Sequence, residues 1–121
     1  MKKECIRVYY KRPGKNLIEV KIPNEPEWFL GAVEGGTCES VPLIPEENGL
    51  PGISILMNAD RNVNGMKHNL YLHIYQLFDD SIKGPVLFVG TQDGFYTDCP
   101  RNRKQMDAFL KLKEIEARAR R

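Results

Sequence analysis

The sequence predicts an α+β fold: a mainly antiparallel sheet of about five strands, with two helices, the second of them C-terminal and basic. Three observations carry this. Two alternating apolar runs flank a Pro13-Gly14 turn, which is the pattern of a hairpin. Two short apolar runs, 53–57 and 86–89, have the length and composition of buried strands. Two further stretches have helical spacing and recognisable ends.

The elements follow in chain order. In residues 5–10, Ile6, Val8 and Tyr10 alternate with Arg7 and Tyr9, as in a half-buried strand. After the turn, Ile18, Val20 and Ile22 alternate again. A helix is expected over 25–34, with Asn24 as its cap and Glu25, Pro26 and Glu27 in its first turn. Proline is tolerated there, and acids suit the positive end of the helix dipole. Trp28 or Phe29, Ala32 and Val33 would face inward, and Gly35-Gly36 would end the helix. Residues 37–44 read as a third strand and 45–52 as a loop. The run 53–57 reads as a central strand. A second loop, 58–69, contains Asn64-Gly65, the signature of a type I′ turn.

Residues 70–78 fit two patterns. Leu70, Leu72 and Ile74 alternate with Tyr71, His73 and Tyr75, while Leu70, Ile74, Leu77 and Phe78 also share a helical face. The alternation favours extended structure. Asp79-Asp80-Ser81 breaks the chain, 86–89 forms another buried strand, and 90–94 turns. The last helix is expected to start near Asp98, capped by Thr97 or Asp98, with Pro100 in its first turn. Met106, Phe109, Leu110, Leu112 and Ile115 would form its inward stripe. Both helices are expected on one face of the sheet. Residues 1–121 read as a single domain, in which 116–121 is a basic tail that projects or frays.

Charge is unevenly placed. From Pro100 onward there are eight Lys or Arg and three acids; the preceding part holds the remaining ten of 18 cations and 13 of 16 acids. The body is therefore near −3 and the end near +5. A basic surface attracts polyanions whatever the total charge. No apolar run approaches the ~20 residues of a membrane span. The amino terminus lacks a signal-peptide pattern, so a cytoplasmic protein with no membrane association is expected. Cys5, Cys38 and Cys99 are odd in number and widely spaced, so reduced thiols are expected.

Several phrases then fall in a known order. They are Pro13-Gly14-Lys15, residues 17–22 (Leu-Ile-Glu-Val-Lys-Ile), Val33-Glu34-Gly35-Gly36, residues 39–43, residues 55–58 ending in Asn58, the Asn69 region, and residues 82–90. This order, over about residues 5–112, resembles a family of small proteins defined by a domain of unknown function. That family is carried by phages and conjugative elements of Gram-positive bacteria. The resemblance implies a compact α+β fold and a mobile-element origin, and brings no catalytic residues. The chain departs from the pattern where Asn69 is followed by Leu70 rather than Arg.

No catalytic constellation stands out, and the expectation is a non-enzymatic protein without cofactor or metal. His68 and His73 have no partner at a zinc-like spacing. Cys99, near a helix start, would need a lowered pKa to act as a nucleophile; a half-buried thiol is the simpler reading. Asp79-Asp80 and Glu46-Glu47 read as solvated pairs. Glu34-Gly35-Gly36 follows a helix, so it reads as a cap rather than a phosphate cradle.

Candidate anion- or nucleic-acid-binding residues are Arg101, Arg103, Lys104, Lys111, Lys113, Arg118, Arg120 and Arg121. The same cations also suit a solvated face and the negative end of the helix dipole. Tyr9, Tyr71 and Tyr75, with Tyr10, are candidate stacking platforms, or else residues that complete a sheet face. The expected partner is a host protein, for example a component of a defence system. A nucleic acid on the C-terminal helix is the alternative. A third is a nucleotide-like ligand held by Arg101, Arg103 and Lys104 with a tyrosine. Nothing in the sequence sets the oligomeric state.

Overall fold

A computed structural model of the chain describes residues 2–75, 77 and 79–120. The fold is α+β. Its elements are β1 (Cys5–Lys11), β2 (Ile18–Pro23), α1 (Pro26–Ala32), β3 (Cys38–Ile44), β4 (Gly52–Asn58), β5 (His68–Tyr71), β6 (Ser81–Lys83), β7 (Val86–Gln92), β8 (Phe95–Thr97) and α2 (Arg103–Ala119). Five antiparallel strands lie in the order β2-β1-β7-β4-β3, and β8 pairs with β7 beyond the end of β1. A separate two-stranded sheet joins β5 to β6.

The alternation along β1 divides the core. Ile6, Val8 and Tyr10 join Leu56, Leu87 and Val89 on one face of the sheet, where Phe29 of α1 packs. Tyr9 points the other way and joins Val41, Ile53, Ile55, Met57, Val86 and Phe88. On that side lie Leu70, Leu72, Ile74 and Ile82 from the β5–β6 region and Met106 of α2. The two helices thus sit on opposite faces, not on one as expected. The reason is that both β4 and β7 are buried on both faces, so each face needs a cover.

Several local expectations shift. Asn24 does not cap α1: it is buried, its Nδ2 donates to the Tyr96 carbonyl (2.9 Å), and Glu25 takes the cap position without a side-chain bond. Phe29 and Val33 point inward, while Trp28 is 51% exposed. The left-handed residue that ends α1 is Glu34 (φ 69°), one position before the glycines. There the Gly35 N–H bonds the Leu30 carbonyl and the Glu34 N–H that of Gly31, a double closure of the last turn. Asn58 completes the end, its Nδ2 donating to the carbonyls of Val33 and Gly35 at 2.9 Å each.

The type I′ geometry falls at Asn48-Gly49 (φ 51° and 77°), inside the Pro-rich loop, and not at Asn64-Gly65. Residues 59–65 instead make a helical turn that Gly65 closes, with the Met66 N–H on the Arg61 carbonyl. Asp93-Gly94 (φ 52° and 81°) joins β7 to β8, at the end of the expected turn 90–94, whose first three residues continue β7. Of residues 70–78, Leu70 and Tyr71 lie in β5, and Leu72 and Ile74 are buried without regular structure. The helical reading that used Phe78 falls on a position outside the described residues.

Candidate functional site

The C-terminal helix begins at Arg103, not near Asp98. Asn102 is its cap: its Oδ1 accepts from the Gln105 N–H (2.8 Å), and the Asn102 N–H donates to Gln105 Oε1 (2.9 Å). Thr97 belongs to β8. Asp98 is held by tertiary bonds, accepting from the Arg7 N–H (2.8 Å) and Lys3 Nζ (2.6 Å). Met106 and Ala117 are fully buried, with Phe109 and Leu110 half-buried between them. Leu112 and Ile115, expected inward, are 55% and 58% exposed. A stripe through 106, 110, 113 and 117 turns both of them toward the opposite side at 3.6 residues per turn. The helix continues through Ala119, with Ala117 buried.

This geometry scatters the predicted cations. The Arg101 guanidinium lies 5.0 Å from the centre of the Phe109 ring, and Lys113 Nζ lies 5.7 Å from it. Arg103 pairs with Asp107 at 3.7 Å, Lys113 with Glu116 at 3.2 Å, and Arg118 with Glu114 at 3.7 Å. Lys104, Lys111 and Arg120 are exposed and make no ion pair with a described residue. Lys104, Lys111 and Arg118, spaced by seven, fall along one line of the helix. Arg121 lies outside the described residues.

The tyrosines separate as well. Tyr9 is fully buried, its hydroxyl donating to Glu19 Oε1 (3.1 Å) and accepting from Arg7, so it is no stacking platform. Burial, then the Glu19 bond, push its pKa up. Tyr10 is half-buried and donates to the Ala32 carbonyl (3.0 Å). Tyr71 is covered by the Arg118 guanidinium at 4.9 Å and faces His68 at 4.2 Å. Tyr75 is 93% exposed.

A second region escaped the sequence. On the α1 face a cleft of about 510 Å³ opens between α1, β3 and β8. Its apolar walls include Pro26, Phe29, Leu30, Leu56, Phe95 and Tyr96. Phe29 and Tyr96 meet edge to face, with centroids 5.3 Å apart at 90°. Phe95 is 45% exposed, and Trp28 stands on the outer side of the same helix. Glu25 and Glu27 flank Pro26 and are fully exposed, close enough that a bond between the carboxyls raises the pKa of Glu25. The cleft draws on residues 26–30, 38–40 and 94–96. Only the fold brings them together. The sequence, which placed Trp28 or Phe29 inward, carried no signal of this cleft.

Cys99 is buried before α2 rather than at its start. Burial pushes its thiol pKa up, against the bond from the Arg101 N–H and the charges of Arg7 and Arg101. A thiol so raised is a poor nucleophile at neutral pH. Burial raises the Cys38 thiol too. His68 Nδ1 lies 2.7 Å from Ser81 Oγ, and His73 Nδ1 lies 2.9 Å from Asp80 Oδ1. Among the described residues no three His, Cys, Asp or Glu gather where a metal ion would sit. No described helix is long and apolar enough to cross a membrane. Compared with known protein families, curated proteins and solved structures, the chain matches none.

Proposed function

We propose that this protein acts by binding rather than by catalysis, docking a segment of a host protein in the cleft between α1, β3 and β8. The observation that carries the reading is an apolar cleft with a half-exposed Phe95 in its wall and Lys2 as its one charged lining residue. Aromatic groups beside a concavity are where interface binding energy concentrates. The lining is mostly apolar, so the partner segment it suits is one that presents an apolar anchor. The resemblance to a mobile-element family supports a host factor, such as a defence component, as the target.

The α2 line of Lys104, Lys111 and Arg118 supports a second reading, a nucleic-acid accessory role, with Tyr75 as its free aromatic. It is the weaker of the two, because several cations are already engaged by acids on the same helix. Capture from nuclease-treated host lysate separates them. A protein should be retained by the wild type and by Lys104→Glu/Lys111→Glu, and lost with Leu30→Glu/Phe95→Ala. Retention by the cleft variant ends the first reading. Loss of all capture after nuclease treatment favours the second.

A further inference from the structure

A second cleft, of about 400 Å³, forms where the β1–β2 turn, the end of α1, the loop after β4 and the β6–β7 turn meet. Arg12 and Lys15 stand on one side and Lys67 on another, with Glu34 the one acid in the lining. None of the three cations makes an ion pair with a described residue. Pro13, Met66 and Pro85 supply apolar wall between them.

The cleft is held in shape from below. Asn69 is buried, and its Nδ2 donates to the Lys11 carbonyl (2.9 Å) and the Gly84 carbonyl (2.7 Å). Its Oδ1 accepts from Lys11 Nζ (2.8 Å). One side chain therefore ties the end of β1 to the β6–β7 turn. The Gly84 N–H donates to the Lys67 carbonyl (2.9 Å), and the Lys15 N–H to that of Arg12 (3.1 Å). Gly84 has φ 79°, a backbone conformation that favours glycine at this turn. Cations from two distant segments are thus carried on a fixed frame, and a site formed in advance loses less entropy when it binds.

We propose that this cleft binds a phosphorylated small molecule of about nucleotide size, independently of the protein-docking cleft. Arg12 offers a planar fork of donors suited to phosphate oxygens, and Lys15 and Lys67 add point charges. The organic part rests on Pro13, Met66 and Pro85. Clefts of about 300–1,000 Å³ are the range of small-molecule sites. The site uses residues other than the Arg101, Arg103 and Lys104 that the sequence pointed to.

Calorimetric titration and thermal melting of the full chain with ATP, adenosine and a short oligothymidylate provide the test. ATP should bind and raise the melting temperature, and adenosine should do neither. Arg12→Ala/Lys15→Ala/Lys67→Ala should weaken ATP roughly tenfold or more. All three side chains are exposed, so this variant should keep the wild-type circular dichroism spectrum. Lys104→Ala/Lys111→Ala should leave ATP binding unchanged. The proposal falls if millimolar ATP does not bind, if the triple variant binds ATP as the wild type does, if adenosine binds equally well, or if only the oligonucleotide binds.

Discussion

The two faces of the sheet are built from the same strands and covered very differently. One carries Tyr9, Ile55, Met57 and Phe88 and lies beneath the β5–β6 region and the 17-residue α2. The other carries Ile6, Val8, Leu56, Leu87 and Val89 and lies beneath the seven-residue α1. At about 1.5 Å per residue α1 is only about 10 Å long. Five strands about 4.8 Å apart present a surface more than twice as wide. A short cover cannot close such a face, and what it leaves bare is the apolar cleft. One face is therefore closed, and the other leaves apolar surface open to solvent.

The largest expected effect tests the closed face. Phe88→Ala should lower unfolding stability by about 3–5 kcal/mol, read by urea denaturation, because the ring is fully buried and leaves a cavity. A loss below about 1 kcal/mol would mean that this face is loosely packed and the contrast is false. Next, Asn102→Ala removes the cap of the helix that seals this face. It should cost about 1 kcal/mol and shift the urea midpoint without changing the slope. Smaller still, Phe95→Ala on the open face should change stability by less than about 1 kcal/mol, since the ring is half-exposed, while abolishing partner capture. A large stability loss there would make Phe95 a core residue.

The smallest effect is expected from acid, at the seam where β1 meets the chain leaving β8. Burial pushes the Asp98 carboxyl up, but the bonds from Lys3 and the Arg7 N–H, with both positive charges, outweigh it and hold its pKa below the usual aspartate range. A carboxyl depressed in the folded state adds stability that is complete above its unfolded pKa, about 3.9. That stability fades as pH falls through the lower folded value. Melting temperatures from pH 5 down to 2 should fall more steeply for the wild type than for Asp98→Asn.

The strands were legible where burial is periodic. Ile6, Val8 and Tyr10 fall on one face as their spacing indicates, and β4 and β7 read as apolar runs because both their faces are covered. β6 and β8, with three residues each, carry too little pattern to register. The start of α2 was misplaced because two cap signals compete, and tertiary bonds claim Asp98. Asn-Gly occurs twice in loops, and only Asn48-Gly49 makes the mirror turn, since Gly65 instead ends a helical turn. Of the binding regions, the cations of α2 were visible as a run in the chain. Their pairing with Glu114, Glu116 and Asp107 was not. Arg12 and Lys67 are separated by most of the sheet in sequence, so no local signal joins them.

The outer strands β2 and β3 have a consequence for how this molecule meets others. Pro42 lacks an N–H, and the pairing of β3 shifts between Pro42 and Ile44. At the far margin β2 exposes Glu19 and Lys21 and ends in Pro23. Each border thus carries a proline, and β2 also carries exposed charges. Features of this kind at sheet margins disfavour edge-to-edge pairing between copies of a chain.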